Sequence, residues 1–229
     1  MVSAVILAAG RGERMGADGN KVYLPLAGAP VLSYSLTAFA CVPAVQEIVI
    51  VVRAGEETTA ARIAEGLGIS ARIVTGGERR QDSARAGVEA VDGELVLIHD
   101  AARPFPSPRL ITRVVECTAQ HGACVPVIPT TDTMRYSDPD GFLRPEQVPR
   151  SGLMRMQTPQ GFRRELIVAA LAGTRETVTD DAGAVLAAGG KVAVVPGEVT
   201  NIKLTTEADL RLGDALLGAG LVAHGKDNG

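Results

Sequence analysis

The sequence has no tryptophan, four phenylalanines and three tyrosines. So few aromatic faces argue against a base-stacking platform for single-stranded nucleic acid. Cysteine and histidine are equally sparse, at three residues each. Cys41, Cys117 and Cys124 form no C-x-x-C pair, and His99, His121 and His224 have no zinc-ligand spacing. Neither a disulfide framework nor a structural zinc site is expected, and free thiols suit a reducing compartment. A dominant charge is missing as well: 23 Lys and Arg stand against 26 Asp and Glu, for a formal net charge of -3. Bulk attraction to nucleic acid or to an anionic membrane is therefore not expected. No segment approaches the roughly 20 apolar residues of a membrane span. The opening run, Val2 to Ala9, has no basic stretch ahead of it and a Gly/Arg loop behind it. It reads as a strand and not as a signal peptide. The expectation is a cytoplasmic protein without nucleic-acid or membrane partners.

What is present is a core. The chain has 229 residues, 46% of them hydrophobic and 21% charged. A domain of that size buries about 70% of its unfolded surface. Apolar runs of strand length recur at Val2–Ala9, Glu47–Val52, Ala71–Val74, Leu95–His99, Ala123–Ile128 and Lys191–Val195. Several are apolar without alternation, as in strands covered on both faces. Helical patterns lie between them at Val31–Phe39, Glu56–Leu67, Ser83–Val91, Leu110–Ala119 and Leu166–Leu171. Ser107-Pro108, Thr179 before Asp180-Asp181, and Thr206 with Asp209 read as helix starts. Strands alternating with helices predict an open, mostly parallel α/β sheet of Rossmann-like type. One domain is expected over 1–223, with a frayed tail over 224–229. Thr131 to Arg150 breaks the alternation, and its Asp138-Pro139-Asp140-Gly141 is a turn signal. This stretch reads as an inserted β-hairpin arm. It is too poor in apolar residues to stand alone, and a second subunit is the natural surface for it.

The strongest local signal is Leu7 to Gly16, LAAGRGERMG, followed by Asn20-Lys21. Gly10, Gly12 and Gly16 let backbone N–H groups approach a ligand, and Arg11, Arg14 and Lys21 add positive charge. The spacing is neither the dinucleotide G-x-G-x-x-G nor a Walker loop. A Gly-rich basic loop after a first strand is where open α/β sheets bind nucleotides. Gly76 to Ser83, GGERRQDS, also sits between a strand and a helix. Its glycines and Ser83 suit a base or ribose edge, or a plain turn capped by Asp82 or Ser83. In His99-Asp100-Ala101-Ala102-Arg103-Pro104, Asp100 closes a strand and faces the ligand crevice. It can accept from a hydroxyl or face Mg²⁺, while Arg103 supplies a fork suited to phosphate. His99 reads as a packed strand residue. The chain continues with Met156 to Phe162, MQTPQGF, and with Asn201 to Thr205, NIKLT.

The first loop resembles the signature loop of sugar-nucleotide type nucleotidyltransferases. Taken together and in this order, the motifs resemble the 2-C-methyl-D-erythritol 4-phosphate cytidylyltransferase family over about Val2 to Leu217. The family commonly has Pro-Lys-Gln where this chain has Asn20-Lys21-Val22, and often an Asp where it has Thr200. The resemblance implies CMP transfer from CTP to the acceptor phosphate, with Mg²⁺ or another divalent cation on the triphosphate and Asp100 as a candidate contact. It implies catalytic roles for Arg14, Lys21, Arg150 and Lys203. The nucleotide would be held by main chain near Ala8, Ala9, Gly10 and Gly12, with Gly77, Ser83 and Asp100. The acceptor would be positioned by Asp100, Arg103, Thr133, Arg150, Thr158, Thr179 and Lys203. It further implies a homodimer whose arm crosses to the partner. Ribitol 5-phosphate is the alternative acceptor. A non-catalytic nucleotide-binding protein is a remote reading, against which Arg14, Lys21 and Asp100 are all present.

Overall fold

The computed structural model describes residues 1–10, 20–173 and 180–223. In chain order its strands are β1 (Val2–Leu7), β2 (Pro25–Leu26), β3 (Ala29–Pro30), β4 (Val45–Val52), β5 (Arg72–Thr75) and β6 (Leu95–Asp100). There follow β7 (Ala123–Pro129), β8 (Arg135–Ser137), β9 (Leu143–Gln147), β10 (Met154–Met156), β11 (Gln160–Arg163) and β12 (Ala193–Pro196). The helices are α1 (Val31–Ala40), α2 (Glu57–Gly66), α3 (Arg80–Glu89), α4 (Pro108–His121), α5 (Arg164–Gly173), α6 (Asp181–Ala187) and α7 (Glu207–Gly218).

β1 is buried along its whole length, because VSAVIL carries no charged side chain and both its edges are taken. It pairs in parallel with β4 on one side and β6 on the other, and β5 extends the sheet beyond β4. Leu7 is level with Val51 and with Asp100, so the ends of three strands meet at one edge. Alternate residues along these strands feed two cores. Val5, Val49, Val51 and Ile98 pack against α3, α5 and α6. Ala4, Ile6, Ile50 and Leu97 pack against α1, α2 and α4. A third cluster, with Leu26, Tyr34, Phe105, Leu204 and Leu217, seats α7 and the end of the body.

The expected strands and helices are found, with ends shifted by a few residues. β1 stops at Leu7 and β12 begins at Ala193. α3 begins at Arg80, three residues before the expected Ser83. Asp82 accepts from the Arg79 N–H at 3.3 Å and from its guanidinium at 2.8 Å, and this drives the first turn. Gly87 lets α3 lie flat on the sheet, since a Cβ there would collide with Val5 and Val51. Ser107 and Thr206 are caps as expected. For α6 the cap is Asp180, whose Oδ1 accepts from Gly183 N at 2.8 Å; Thr179 lies outside the described residues.

The sheet is mostly parallel but not wholly so. β11 runs antiparallel between β6 and β7, β10 pairs antiparallel with the later part of β7, and β12 runs parallel along the other edge of β7. The inserted arm is a hairpin of β8 and β9, exposed along both strands. Its turn is held by Asp138, whose Oδ1 accepts from Phe142 N at 2.8 Å. The tail over 224–229 lies outside the described residues. Among the described residues, no helix is long and apolar enough to cross a membrane.

Candidate active site

A cleft opens at the carboxyl edge of β1, β5 and β6. It is lined by Leu7, Ala9, Gly10, Lys21, Val22, Gly77, Glu78, Arg79, Arg80, Ser83, Asp100, Ala102 and Lys203. The sequence-derived site residues Ala9, Gly10, Lys21, Gly77, Ser83, Asp100 and Lys203 are thus brought together, although Lys203 lies 103 residues from Asp100. Arg14 and Gly12 of the first loop, and Thr179, lie outside the described residues.

On the nucleotide side, the Ala8 N–H is already engaged with the Val51 carbonyl at 2.7 Å. The Ala8 carbonyl accepts from the Asn20 side chain. What the first strand presents to the cleft is therefore Ala9 and Gly10. Lys21 starts a short 3-10 turn, Lys21–Tyr23, which Asn20 caps through Val22 N. Across the cleft, the Gly77 N–H donates to Ser83 Oγ at 3.2 Å. A Cβ on Gly76 would stand 2.6 Å from that hydroxyl, so this close turn requires glycine.

On the other side stands a chain of alternating charge. Asp100 Oδ2 accepts from Lys203 Nζ at 2.7 Å, and Oδ1 from Arg80 Nε at 3.1 Å. Arg80 Nη2 reaches Asp181 Oδ2 at 2.8 Å. Burial works to raise the pKa of Asp100, but the charges of Arg80 and Lys203 outweigh it and hold the carboxyl below the usual carboxylate range. At Asp181, burial prevails and the pKa is raised despite Arg80. Burial also acts against the Arg80 charge, yet the two carboxylates overcome it and raise the pKa. Arg80, a residue that sequence reasoning missed, is thus the centre of the cluster. Its partners lie 20 and 101 residues away.

Beneath Asp100 is a neutral hydrogen-bond chain. The Asp100 N–H donates to Thr158 Oγ1 at 3.2 Å, and the Thr158 hydroxyl lies 3.0 Å from His99 Nδ1. His99 Nε2 lies 2.9 Å from the Arg103 carbonyl, an acceptor only. That fixes the imidazole with its proton on Nε2 and makes Thr158 the donor to Nδ1. Burial lowers the His99 pKa to about 4, so the ring is neutral at pH 7. His99 is a packed strand residue, as expected, and Thr158 stands 5% exposed under the cleft floor.

Arg103 is clamped by main chain: Nη1 donates to the Asn201 carbonyl at 2.8 Å and Nη2 to the Met156 carbonyl at 3.2 Å. Gln157 also secures this region, donating to the Glu198 carbonyl at 2.7 Å and accepting from Glu198 N at 3.0 Å. Asn201 Nδ2 returns to the Thr158 carbonyl at 2.9 Å. The Q-T-P-Q and N-I-K segments are therefore one scaffold, which seats Lys203 beside Asp100. Thr133 and Arg150 do not line this cleft. They stand at the exposed base of the arm, where Arg150 Nη1 donates to the Thr131 carbonyl at 2.7 Å.

The arrangement suits anion chemistry: Lys21, Arg79, Arg80 and Lys203 line a single cleft together with main chain at Gly10 and Gly77. Comparison with known proteins agrees. The 2-C-methyl-D-erythritol 4-phosphate cytidylyltransferase family model matches residues 2–219. The chain is 42% identical over 226 residues to the protein of that name from Pelotomaculum thermopropionicum, covering 95% of this chain and 94% of the relative. The namesake from Deinococcus radiodurans is 41% identical over 219 residues, covering 94% and 89%. Among solved structures, the Thermus thermophilus protein of the same name superposes with a TM-score of 0.80 at 36% identity, covering 94% of this chain and 98% of that one. The 4-diphosphocytidyl-2C-methyl-D-erythritol synthase of Anaerococcus prevotii gives 0.83 at 32%, covering 95% and 96%. With fold, motif order and cleft in accord over nearly its whole length, the chain belongs to the 2-C-methyl-D-erythritol 4-phosphate cytidylyltransferase family.

Proposed function

We propose that the chain transfers CMP from CTP to 2-C-methyl-D-erythritol 4-phosphate, forming 4-diphosphocytidyl-2-C-methyl-D-erythritol and pyrophosphate in the cytoplasm. The observation that carries this reading is the convergence of Lys21 and Lys203 on one cleft, from opposite ends of the chain. Two anionic substrates need two cationic poles, and the space between them is where the reacting phosphorus sits. An oxygen of the acceptor phosphate attacks the α-phosphorus in line. The bond from that phosphorus to the bridging oxygen of the β-phosphate breaks, and pyrophosphate leaves with the electron pair. The attacking oxygen is already anionic at pH 7, so no general base is needed. The protein supplies position and charge.

Main chain at Ala9, Gly10 and Gly77, with Ser83, holds the nucleotide, a pocket that needs no aromatic side chain. Lys21 and Arg14 steady the charge that develops on the departing phosphates. Asp100 accepts from an acceptor hydroxyl, and Lys203 meets the acceptor phosphate; the resemblance adds Thr179 as an acceptor contact, while Arg103 and Thr158 support Asp100 and Lys203 from beneath. Among the described residues, no group of three or more His, Cys, Asp or Glu is placed to hold a metal ion. Both oxygens of Asp100 are engaged by Arg80 and Lys203. A Mg²⁺ would be held mainly by the substrate's triphosphate, with Asp100 as a candidate protein ligand among the cleft residues. When bound, it would neutralise triphosphate charge.

We further propose a homodimer joined through the arm. Tyr136, Phe142 and Leu143 stand 58%, 72% and 72% exposed there, an apolar surface that a second subunit would cover. Thr133 and Arg150 would then serve the neighbour's cleft. The test of function is pyrophosphate release with Mg²⁺, crossing four nucleoside triphosphates with methylerythritol 4-phosphate and ribitol 5-phosphate. Release with CTP and methylerythritol phosphate alone is expected. Release only with ribitol phosphate would replace the acceptor, and silence throughout would overturn the reaction.

A further inference from the structure

Arg80 stands where three elements meet. It opens α3, Asp100 closes β6, and Asp181 opens α6. One guanidinium reaches both carboxylates through different nitrogens, Nε and Nη2. The two ends of the cluster differ in freedom. The Lys203 side chain is 39% exposed, whereas Asp181 is 1% exposed. Lysine is a flexible point charge, while arginine is a rigid planar fork.

The burial of Asp181 is costly. Its Oδ1 is out of contact with water and has no hydrogen-bond partner among the described residues. Buried ion pairs add little net stability over apolar packing, so stability is a weak reason for this one. Geometry is a better reason. In the proposed reaction, Lys203 must turn from Asp100 to the incoming phosphate. Asp100 then keeps Arg80, and Asp181 holds the other arm of that guanidinium.

We propose that Arg80 is a positioning residue, anchored on Asp181, that keeps the Asp100 carboxylate aimed into the cleft when Lys203 is released to the acceptor phosphate. The inference rests on the acceptor-side reading of Asp100 and Lys203. It assigns no nucleotide contact to Arg80, although Arg80 lines the same wall as Ser83.

The experiment compares wild type with R80K, R80M, D181N and the R80M/D181N double variant. Steady-state kinetics use CTP and methylerythritol 4-phosphate, and calorimetry gives the acceptor Kd beside a nonreactive CTP analogue. Thermal melts establish that each variant is folded. R80K keeps the charge but not the fork, and its kcat/KM for the acceptor should fall about 10-fold. R80M should lose about 100-fold, with the KM for CTP within about 2-fold of wild type. D181N, at a buried residue that does not line the cleft, should weaken the acceptor selectively, and the double variant should be no worse than R80M, since both act through one linkage. Should R80M fail to fold, R80K and D181N still decide. A matching rise in the CTP KM would make Arg80 a nucleotide contact and overturn the proposal. So would additive losses, or an acceptor Kd unchanged in R80K and D181N. A wild type that binds the acceptor without turnover would instead sink the reaction, while the Kd series still judges the anchor.

Discussion

Asn20 donates through Nδ2 to Glu56 Oε2 at 3.0 Å, tying the residue before Lys21 to the turn between β4 and α2. The same amide reaches the Ala8 carbonyl, and its Oδ1 accepts from Val22 N. Glu56 is itself held by Arg53 at 2.6 Å and receives the Tyr23 hydroxyl at 3.3 Å. Burial and the Glu56 charge both push the Tyr23 phenol pKa up, so it remains a donor. Asn20 thus fixes Lys21 relative to the first strand by side-chain hydrogen bonds, where the resemblance leads one to expect proline.

Replacing Asn20 with Ala strips these bonds from a site 4% exposed. Loss of a buried hydrogen-bonding amide costs about 1–3 kcal/mol. Stability should fall by that amount in denaturant melts, and kcat/KM for CTP by about 10-fold as Lys21 loses its register. Unchanged kinetics with lowered stability would limit Asn20 to folding.

Lys21 faces the cleft directly. If its charge meets the triphosphate mainly in the transition state, Lys21→Ala should lower kcat by roughly 10²-fold or more, with a smaller change in KM. A change confined to KM would make it a ground-state contact.

The arm invites a complementation test. Lys21→Ala and Arg150→Ala should each be inactive alone. Mixed, they should recover part of the activity if Arg150 serves the neighbour's cleft, because one of the two sites in a heterodimer is then intact. Proven subunit exchange without recovery would count against a shared site.

His99 ties stability to pH. An unfolded histidine takes its proton near pH 6.5, whereas folded His99 does so at about 4. As pH falls between those values the unfolded state binds more protons, so stability is lost. Above 6.5 both states are neutral and the contribution is flat. The full loss is on the order of 3 kcal/mol. Asp100, whose pKa is lowered, adds its own loss at more acid pH. In His99→Gln, an amide can still donate to Arg103 and accept from Thr158. Its melting temperature should be flatter than wild type between pH 6.5 and 4; parallel curves would refute the assignment.

Particular residues explain what is legible in the sequence. β1, β4 and β6 are runs of Val, Ile and Leu because each is covered on both faces, so composition alone betrays them. Ser107 and Thr206 cap locally, within three residues, and short-range chemistry is readable. β11 is not readable: QGFR has one large apolar side chain, and its extended form comes from pairing with β6 and β7. Arg80 looks like one more polar residue of a turn, since nothing nearby in sequence names Asp181 as its partner. Asn20 is visible as a departure from a pattern, but its purpose depends on Glu56, 36 residues on. Thr158 reads as an acceptor contact, and its burial under Asp100 follows from β11 and the Asn201 segment.

The central claim is that one cleft joins a CTP α-phosphorus to an acceptor phosphate oxygen. Phosphorus NMR of a complete reaction tests it most directly. The acceptor monoester signal should vanish as a coupled pair of diphosphate signals and an equal amount of pyrophosphate appear. CMP and pyrophosphate beside untouched acceptor would mean attack by water and contradict the account.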